Sequence, residues 1–160
     1  MMSRVYLGLG SNIGDKASQI TEALDRLAKV VTVKRVSPLY LTEPVGLKDQ
    51  AWFINCVVEV DTEKEPEQLL SALQSIEKAM GRVKTKGKGP RPIDIDLLFY
   101  DDQVVNRKNL VIPHPRLHMR LFVLQPLMDL IPRFVHPVLH KTIQELYDAS
   151  PWSEIVTPYK

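Results

Sequence analysis

The order in which two hydrophobic periodicities follow one another constrains the fold of this chain more than any other feature. Apolar residues alternate along several short segments, as in strands, and recur every three to four residues in two others, as in amphipathic helices. These patterns predict strands over 4–10, 31–41, 53–60 and 93–100, and helices over 15–27 and 66–81. The sequence therefore predicts an α+β, ferredoxin-like β-α-β-β-α-β core, with an antiparallel sheet and both helices packed on one of its faces.

The C-terminal third of the chain has short apolar runs interrupted by many of the 12 prolines, which predicts a small C-terminal appendage. We expect one domain over residues 1–160, and a monomer. No apolar run approaches the ~20 residues that span a bilayer. The single cysteine, Cys56, cannot form an internal disulfide, which together with the lack of a signal-like N-terminus favours the cytoplasm. A net charge of +2 is too small to indicate nucleic-acid binding.

Two aspartates lie in the last predicted strand. Asp94 and Asp96 are two positions apart, so their side chains lie on one face of the strand and the intervening apolar residues on the other. Adjacent carboxylates repel each other unless a cation lies between them. Magnesium prefers oxygen ligands and often takes one or two protein carboxylates together with substrate phosphates. We therefore predict a magnesium site; a solvated acidic edge is the alternative, although aspartate is disfavoured inside strands.

A basic segment precedes this strand. Residues 82–91 carry five cations and no acid, and glycines make their backbone flexible. Next to the aspartate pair, such a segment predicts an ATP site in which arginines neutralise the charge that develops during transfer. A solvated run of charges is the alternative. The cations are Arg82, Lys84, Lys86, Lys88 and Arg91.

Two other motifs are weaker indicators of function. The glycines of segment 8–14 do not have dinucleotide-binding spacing, because the third falls one residue late, and a tight turn before a helix explains them better. His114 with His118, and His136 with His140, have the i,i+4 spacing of metal ligands. Each pair has a proline after its first histidine and lacks the glutamate of zinc helices, so surface or phosphate-contact roles are favoured over zinc.

Two phenylalanines and an asparagine suit a flat acceptor. Phe53 and Phe122 could stack on both faces of a ring. Asn55 offers a donor and an acceptor, as an amino-pyrimidinone edge requires. On the residues alone, burial of both aromatic rings in the core is the favoured interpretation.

Together these motifs resemble one family. The chain is similar to the 6-hydroxymethyl-7,8-dihydropterin pyrophosphokinases, folate-pathway enzymes that transfer pyrophosphate from ATP to a pterin alcohol and release AMP. The resemblance covers nearly the whole chain, and its most specific part is Gly89-Pro90-Arg91 followed by Asp94-Ile95-Asp96. Supporting segments are Gly10–Asn12, Thr42–Pro44 with Gly46, Asp49–Gln50, Phe53–Asn55, Gln74–Glu77, Gly81–Arg82, Pro113–Pro115 and Arg120–Phe122.

The resemblance implies roles for individual residues. Asp94 and Asp96 would hold two Mg²⁺ ions, and Arg82 and Arg91 would join them as catalytic residues by engaging the ATP phosphates. The implied ATP-binding residues are Gln74, Glu77, Arg82, Lys84, Arg91, Leu97, His114 and Arg120. The implied pterin-binding residues are Thr42, Pro44, Val45, Phe53, Asn55 and Phe122.

One segment departs from the family pattern. Members often carry Arg-Trp directly before Gly-Pro-Arg, whereas this chain has Gly87-Lys88 in a slightly shorter loop. The resemblance therefore implies the usual reaction with a differently made closure of this loop over the substrates.

Two rival functions share some of these features. RNA-recognition domains have the same element order, but they need aromatics in a Lys/Arg-Gly-Phe-type motif on a central strand. Segment 53–60 lacks that motif and any basic residue, so we expect no nucleic-acid partner. A plain kinase or a nucleotidyltransferase could use the same metal pair on another alcohol. The released product separates these reactions: AMP for pyrophosphoryl, ADP for phosphoryl and free pyrophosphate for nucleotidyl transfer.

Overall fold

A computed structural model describes residues 1–44, 51–81 and 92–159 of the chain. The strands in these ranges are β1 (Ser3–Ser11), β2 (Thr32–Val36), β3 (Tyr40–Thr42), β4 (Phe53–Thr62), β5 (Asp94–Tyr100), β6 (Val105–Arg107), β7 (Leu110–Ile112) and β8 (Val156–Pro158). The helices are α1 (Lys16–Leu27), α2 (Pro66–Ala79), α3 (Leu121–Leu130) and α4 (Ile143–Asp148), with a 3₁₀ turn at Leu117–Met119.

The main sheet has the order β5-β1-β4-β3-β8, and β2 also pairs with β4. All of these pairings are antiparallel. Strands β1 and β4 are therefore central, with the last strand of the core beside the first. This arrangement confirms the predicted ferredoxin-like α+β core.

Local sequence signals fix both long helices. The carboxylate of Asp15 accepts the Ser18 N–H at 3.1 Å and so caps α1. Helix α2 begins at Pro66, whose fixed φ suits a first helical position, and ends before Gly81, which has a φ of +90° that glycine adopts without strain. Both helices pack on one sheet face, in an apolar core that includes Ile20, Leu27, Leu69, Leu73, Leu7 and Leu9.

The single strand predicted over 31–41 is wrong, because the chain forms two strands, β2 and β3, that both pair with β4. The interruption lies at Ser37-Pro38. Proline has no N–H to donate to a ladder, so a regular strand cannot continue through it. Ser37 still holds the chain to β4: its N–H donates to the Val57 carbonyl at 2.9 Å, and its Oγ accepts the Val57 N–H at 2.9 Å.

The C-terminal third packs against the main sheet and extends it. Strand β8 extends the main sheet beside β3, and helices α3 and α4 lie on the face opposite α1 and α2. There Leu124 and Leu127 of α3 pack with Tyr6, Leu98 and Phe99 of the sheet in a second apolar core. In the described ranges, none of the helices combines the length and the apolar character that a bilayer crossing requires.

Candidate active site

The central feature of the site is a pair of glycines facing a pair of aspartates. In the β1–β5 ladder, Gly8 lies opposite Asp96 and Gly10 opposite Asp94. Both aspartates are partly exposed, whereas Ile95 between them is buried in the core under the helices. This confirms that the two carboxylates share the face away from α1 and α2. Because the glycines have no side chains, that face stays open beside the carboxylates, and a cleft of about 470 Å³ lies over it.

Asn55 on β4 depends on the second glycine. It lies opposite Gly10, and a β-carbon added to Gly10 would stand only 2.3 Å from Asn55 Oδ1. Its Nδ2 donates to Thr42 Oγ1 at 2.6 Å. The amide is 7% exposed, so one of its donors is satisfied within the protein and its orientation is fixed where it lines the cleft.

Glu77 of α2 holds the strand that carries the aspartates. Strand β5 lies at the edge of the sheet, and Glu77 Oε2 accepts the Ile95 N–H at 2.8 Å. Glu77 is 8% exposed and also lines the cleft, with Gln74 one turn earlier on the same helix. A buried carboxylate thus fixes the main chain between Asp94 and Asp96, which limits how far the two aspartates can move apart.

His114 provides a neutral donor on the opposite wall. Burial and then the neighbouring positive charge of Arg120 lower its pKa to about 4, so the ring is uncharged at neutral pH. Its Nδ1 accepts the Arg116 N–H at 3.1 Å. The proton of the neutral ring is therefore on Nε2, which is available to donate to a ligand.

Arg120 connects the acidic part of the cleft with its aromatic part. Its Nη1 is 3.9 Å from Asp96 Oδ2, and its guanidinium carbon is 5.6 Å from the centre of the Phe122 ring. Both distances suit a partly solvated ion pair and a cation–π contact. Phe122 and Phe53 are both partly exposed and both line the cleft, so neither ring is fully buried in the core.

The structure brings most of the sequence-predicted site residues into this one cleft. Those that line it are Thr42, Phe53, Asn55, Gln74, Glu77, Asp94, Asp96, His114, Arg120 and Phe122. Leu97 is packed in the apolar core, so any contact it makes with a ligand would involve its main chain, and Pro44 is buried. Four predicted residues lie outside the described ranges: Val45, Arg82, Lys84 and Arg91. The individual ligand-binding roles of all these residues stay predictions.

Two further charged residues line the cleft, Glu43 and Arg116, and neither is among the site residues predicted from the sequence. Each is next to a motif that was noted: Glu43 lies within Thr42–Pro44, and Arg116 directly follows Pro113–Pro115. The proximity of a charged residue to a motif was the available signal, but it does not show that the side chain turns toward the cleft.

Comparison with known proteins identifies the family. The profile of the 7,8-dihydro-6-hydroxymethylpterin-pyrophosphokinase (HPPK) family matches residues 6–132. Two bacterial proteins named 2-amino-4-hydroxy-6-hydroxymethyldihydropteridine pyrophosphokinase match along most of both chains. The one from Aquifex aeolicus is 39% identical over 90% of this chain and 90% of its own. The one from Pseudomonas aeruginosa is 40% identical over 97% and 96%.

Longer relatives contain a similar region. The folic acid synthesis protein fol1 of Schizosaccharomyces pombe is 51% identical over 91% of this chain, but this chain spans only 20% of its length. The crystal structure of Plasmodium falciparum HPPK-DHPS has the same fold, with a TM-score of 0.75 at 20% identity over 92% of this chain and 43% of that one. On the profile match and the two full-length bacterial relatives, this chain belongs to the 7,8-dihydro-6-hydroxymethylpterin-pyrophosphokinase family.

Proposed function

We propose that this cleft transfers pyrophosphate from ATP to the hydroxymethyl group of 6-hydroxymethyl-7,8-dihydropterin, giving AMP and the pterin diphosphate. Membership of the family makes the chain a pyrophosphokinase of folate synthesis, which confirms the predicted enzyme class. One observation supports the assignment of this reaction to the cleft. The aspartate pair and the Asn55–Phe53–Phe122 group line the same cavity.

The aspartate pair suits magnesium. Asp94 and Asp96 offer hard carboxylate oxygens on one face of a strand whose main chain is fixed by Glu77. A pair of carboxylates leaves several ligand positions for water and phosphate, which Mg²⁺ prefers to keep. We propose that the two residues hold two Mg²⁺ ions together with ATP. When bound, the metal neutralises phosphate charge and polarises the phosphorus that is attacked.

The triphosphate would lie between β5 and the wall formed by His114 and Arg120. Neutral His114 can donate from Nε2, and Arg120 supplies positive charge within reach of Asp96. On the α2 side, Gln74 and Glu77 line the cleft where the nucleotide would enter. The predicted roles of Arg82, Lys84 and Arg91 on the phosphates, and of Leu97 through its main chain, complete this proposal.

The pterin would occupy the other end of the cleft. Asn55 keeps its amide plane fixed through Thr42, so its remaining donor and its oxygen can pair with the edge of the ring. The exposed parts of Phe53 and Phe122 would stack on the two ring faces and exclude water. Pro44 and Val45 are proposed to complete this pocket.

The reaction itself is a displacement in line. The hydroxymethyl oxygen of the pterin attacks the β-phosphorus of ATP, and the bond from that phosphorus to the oxygen bridging to the α-phosphate breaks. AMP leaves with the bridging oxygen, and the hydroxyl proton passes to the solution. The protein forms no covalent bond, so its contribution is the alignment of the two substrates and the neutralisation of charge.

Identification of the nucleotide product tests the proposed reaction. The protein is incubated with Mg²⁺, ATP and 6-hydroxymethyl-7,8-dihydropterin, and the nucleotides are separated by chromatography, with a reaction lacking pterin as the control. We expect AMP that depends on the pterin. Pterin-dependent ADP, or free pyrophosphate with a pterin–AMP adduct, would overturn pyrophosphoryl transfer.

We further propose that the chain acts as one domain and as a monomer in the cytoplasm, without a nucleic-acid partner. The chain has a single cysteine, Cys56, which supports a reducing compartment, and burial raises the pKa of its thiol to about 12 and so keeps it protonated. The cleft-facing part of β4, from Phe53 to Val57, carries no basic residue to contact a phosphate backbone. Size-exclusion chromatography with light scattering tests the monomer.

A further inference from the structure

The first turn of α1 holds the start of strand β4. The ammonium group of Lys16 donates to the Trp52 carbonyl at 2.7 Å, and Asn12 Nδ2 donates to the Ala51 carbonyl at 3.2 Å. Both carbonyls immediately precede Phe53, the first residue of β4. Two side chains from the β1–α1 connection thus fix the main chain at the point where it enters the cleft wall.

Lys16 is an unfavourable residue for the helix that it begins. It is the first residue of α1, where unpaired N–H groups create a partial positive charge that favours acids. Apart from the N-cap Asp15, whose carboxylate accepts the Ser18 N–H, the first turn of α1 has no acidic residue to offset the added cation. Helix stability therefore does not explain a lysine here, whereas a charge-assisted hydrogen bond to the Trp52 carbonyl does.

Lys16 has no other evident partner in the part of the chain that the structure describes. It forms no ion pair with a carboxylate of residues 1–44, 51–81 or 92–159, and the neighbouring Asp15 carboxylate is engaged with the Ser18 N–H. Its side chain is half-buried and directed at β4.

We propose that Lys16 is a positioning residue for the pterin, an inference that rests on the proposed function. By holding the Trp52 carbonyl, Lys16 sets where β4 begins. It thereby sets where the Phe53 ring and, two residues on, the Asn55 amide stand in the cleft. Lys16 itself is not among the residues that line the cleft, so it acts through these two side chains.

The effect is selective for one substrate. The proposed nucleotide-binding side chains Gln74, Glu77 and His114 belong to α2 and to the segment after β7, neither of which is hydrogen-bonded by Lys16. Loss of the Lys16 contact therefore changes the affinity for pterin and leaves that for ATP unchanged.

The test compares Lys16→Met with Lys16→Arg and with Lys29→Met. Methionine keeps the apolar stem but loses the donor, arginine keeps a charged donor, and Lys29 is an exposed lysine just beyond the other end of α1. For Lys16→Met we expect the KM for pterin and the pterin Kd without ATP to rise about tenfold, the effect of losing one charge-assisted hydrogen bond. We expect kcat and the KM for ATP to stay within about twofold, and Tm within about 3 °C, because the lost contact is offset by removal of the unfavourable charge.

Recovery of pterin affinity in Lys16→Arg, with wild-type behaviour of Lys29→Met, would support the positioning role. An unchanged pterin Kd in Lys16→Met would overturn it, as would an equal rise in both KM values with a large fall in Tm, which indicates general loss of structure. A wild-type protein that forms no AMP but binds pterin, with a weaker Kd in Lys16→Met, would refute the proposed reaction and leave the positioning role intact.

Discussion

The two ends of one sheet face differ sharply, although the same three strands β1, β4 and β5 run through both. At one end, Tyr6, Leu98 and Phe99 point into an apolar core that α3 covers. At the other end, the same strands present Gly10 and Asp94, and the face remains open as the cleft. One strand can therefore contribute to the core at one end and to the active site at the other, depending on which side chains occupy its alternate positions.

A β-bulge marks the boundary between the two ends. The pairing of β1 with β5 shifts between Tyr6, which lies opposite Phe99, and Leu7, which lies opposite Leu97. Leu98 is left as the extra residue, so Leu98 and Phe99 both contribute to the core under α3. Bulges change the direction of side chains next to active sites. Here the bulge ends the alternation that places the aspartates on the open face.

The largest expected effect comes from removing an acid at the open end. Asp96→Ala should lower kcat/KM about 10³-fold, or ~4 kcal/mol of transition-state stabilisation, because the proposed metal site loses one of two carboxylates. Stability should change little, since the lost repulsion between like charges offsets the lost ion pair with Arg120. Steady-state kinetics and thermal unfolding measure the two effects separately.

Asp102→Ala is the matched control, because Asp102 is an exposed aspartate that follows the same strand and does not line the cleft. It should behave like the wild type. If Asp96→Ala kept near-normal rates at limiting Mg²⁺, the metal assignment would be wrong.

The next effect is expected from filling the open end. In Gly10→Ala the new methyl group would meet Asn55 Oδ1 at 2.3 Å, so the amide must move and lose its hydrogen bond to Thr42. We expect pterin affinity to fall about 30- to 100-fold, since a buried polar group is displaced from its partner. Calorimetric titration with pterin gives this value directly.

Gly8→Ala provides the comparison, because the nearest atoms to its methyl group would be Leu98 side-chain carbons, at ordinary contact distances of 3.6 Å and more. Its pterin affinity should change much less than that of Gly10→Ala. Equal losses in the two variants would mean that the general volume of the cleft matters, and not the position of Asn55.

At the end of the sheet face that α3 covers, the closed end, pH should change stability. Burial, followed by the charges of His118 and His140, lowers the pKa of His136 to about 4. The unfolded chain therefore binds more protons than the folded one below the ordinary pKa of ~6.5, and stability falls as the pH drops toward 4. His136 should account for about 2 kcal/mol of the loss between pH 7 and pH 5.

His136→Gln isolates this contribution. Glutamine does not titrate, and its amide oxygen can take over the Val138 and Leu139 N–H groups that His136 Nδ1 accepts at 3.1 and 3.0 Å. Urea unfolding at several pH values should show a smaller pH slope for the variant, while the contribution of His114 remains. Identical slopes for variant and wild type would exclude His136 as the source.

The sequence predicts the open end better than the closed one. Alternation alone places Asp94 and Asp96 on one strand face, and the motifs of the family point to Asn55 and His114, all of which meet in the cleft. These residues lie in or next to strands that short-range hydrophobic patterns identify. A polar residue inside an apolar strand is also conspicuous in a sequence, because it contradicts the local propensity.

The closed end depends on contacts between segments distant in sequence, which periodicity does not reveal. Tertiary packing determines that α3 covers Phe99 and not Asp94. Tertiary packing also determines that β8 returns to pair with β3. The break at Pro38 could have been read from the missing N–H. The pairing of both β2 and β3 with β4 could not be read from the sequence, since it depends on the hydrogen bonds between Ser37 and Val57.

The smallest expected effect tests whether the closed end contributes stability alone. Thr142 caps α4: its Oγ1 accepts the Glu145 N–H at 3.1 Å, and the Glu145 carboxylate accepts the Thr142 N–H at 3.0 Å. Thr142→Ala should cost about 1 kcal/mol, or ~2–4 °C in Tm, the usual loss for an N-cap. Because no residue of α4 lines the cleft, both KM values and kcat should stay unchanged below the melting transition. A change in either KM would mean that packing at the closed end also sets the geometry of the cleft, and that the two ends are coupled through β4 and β5.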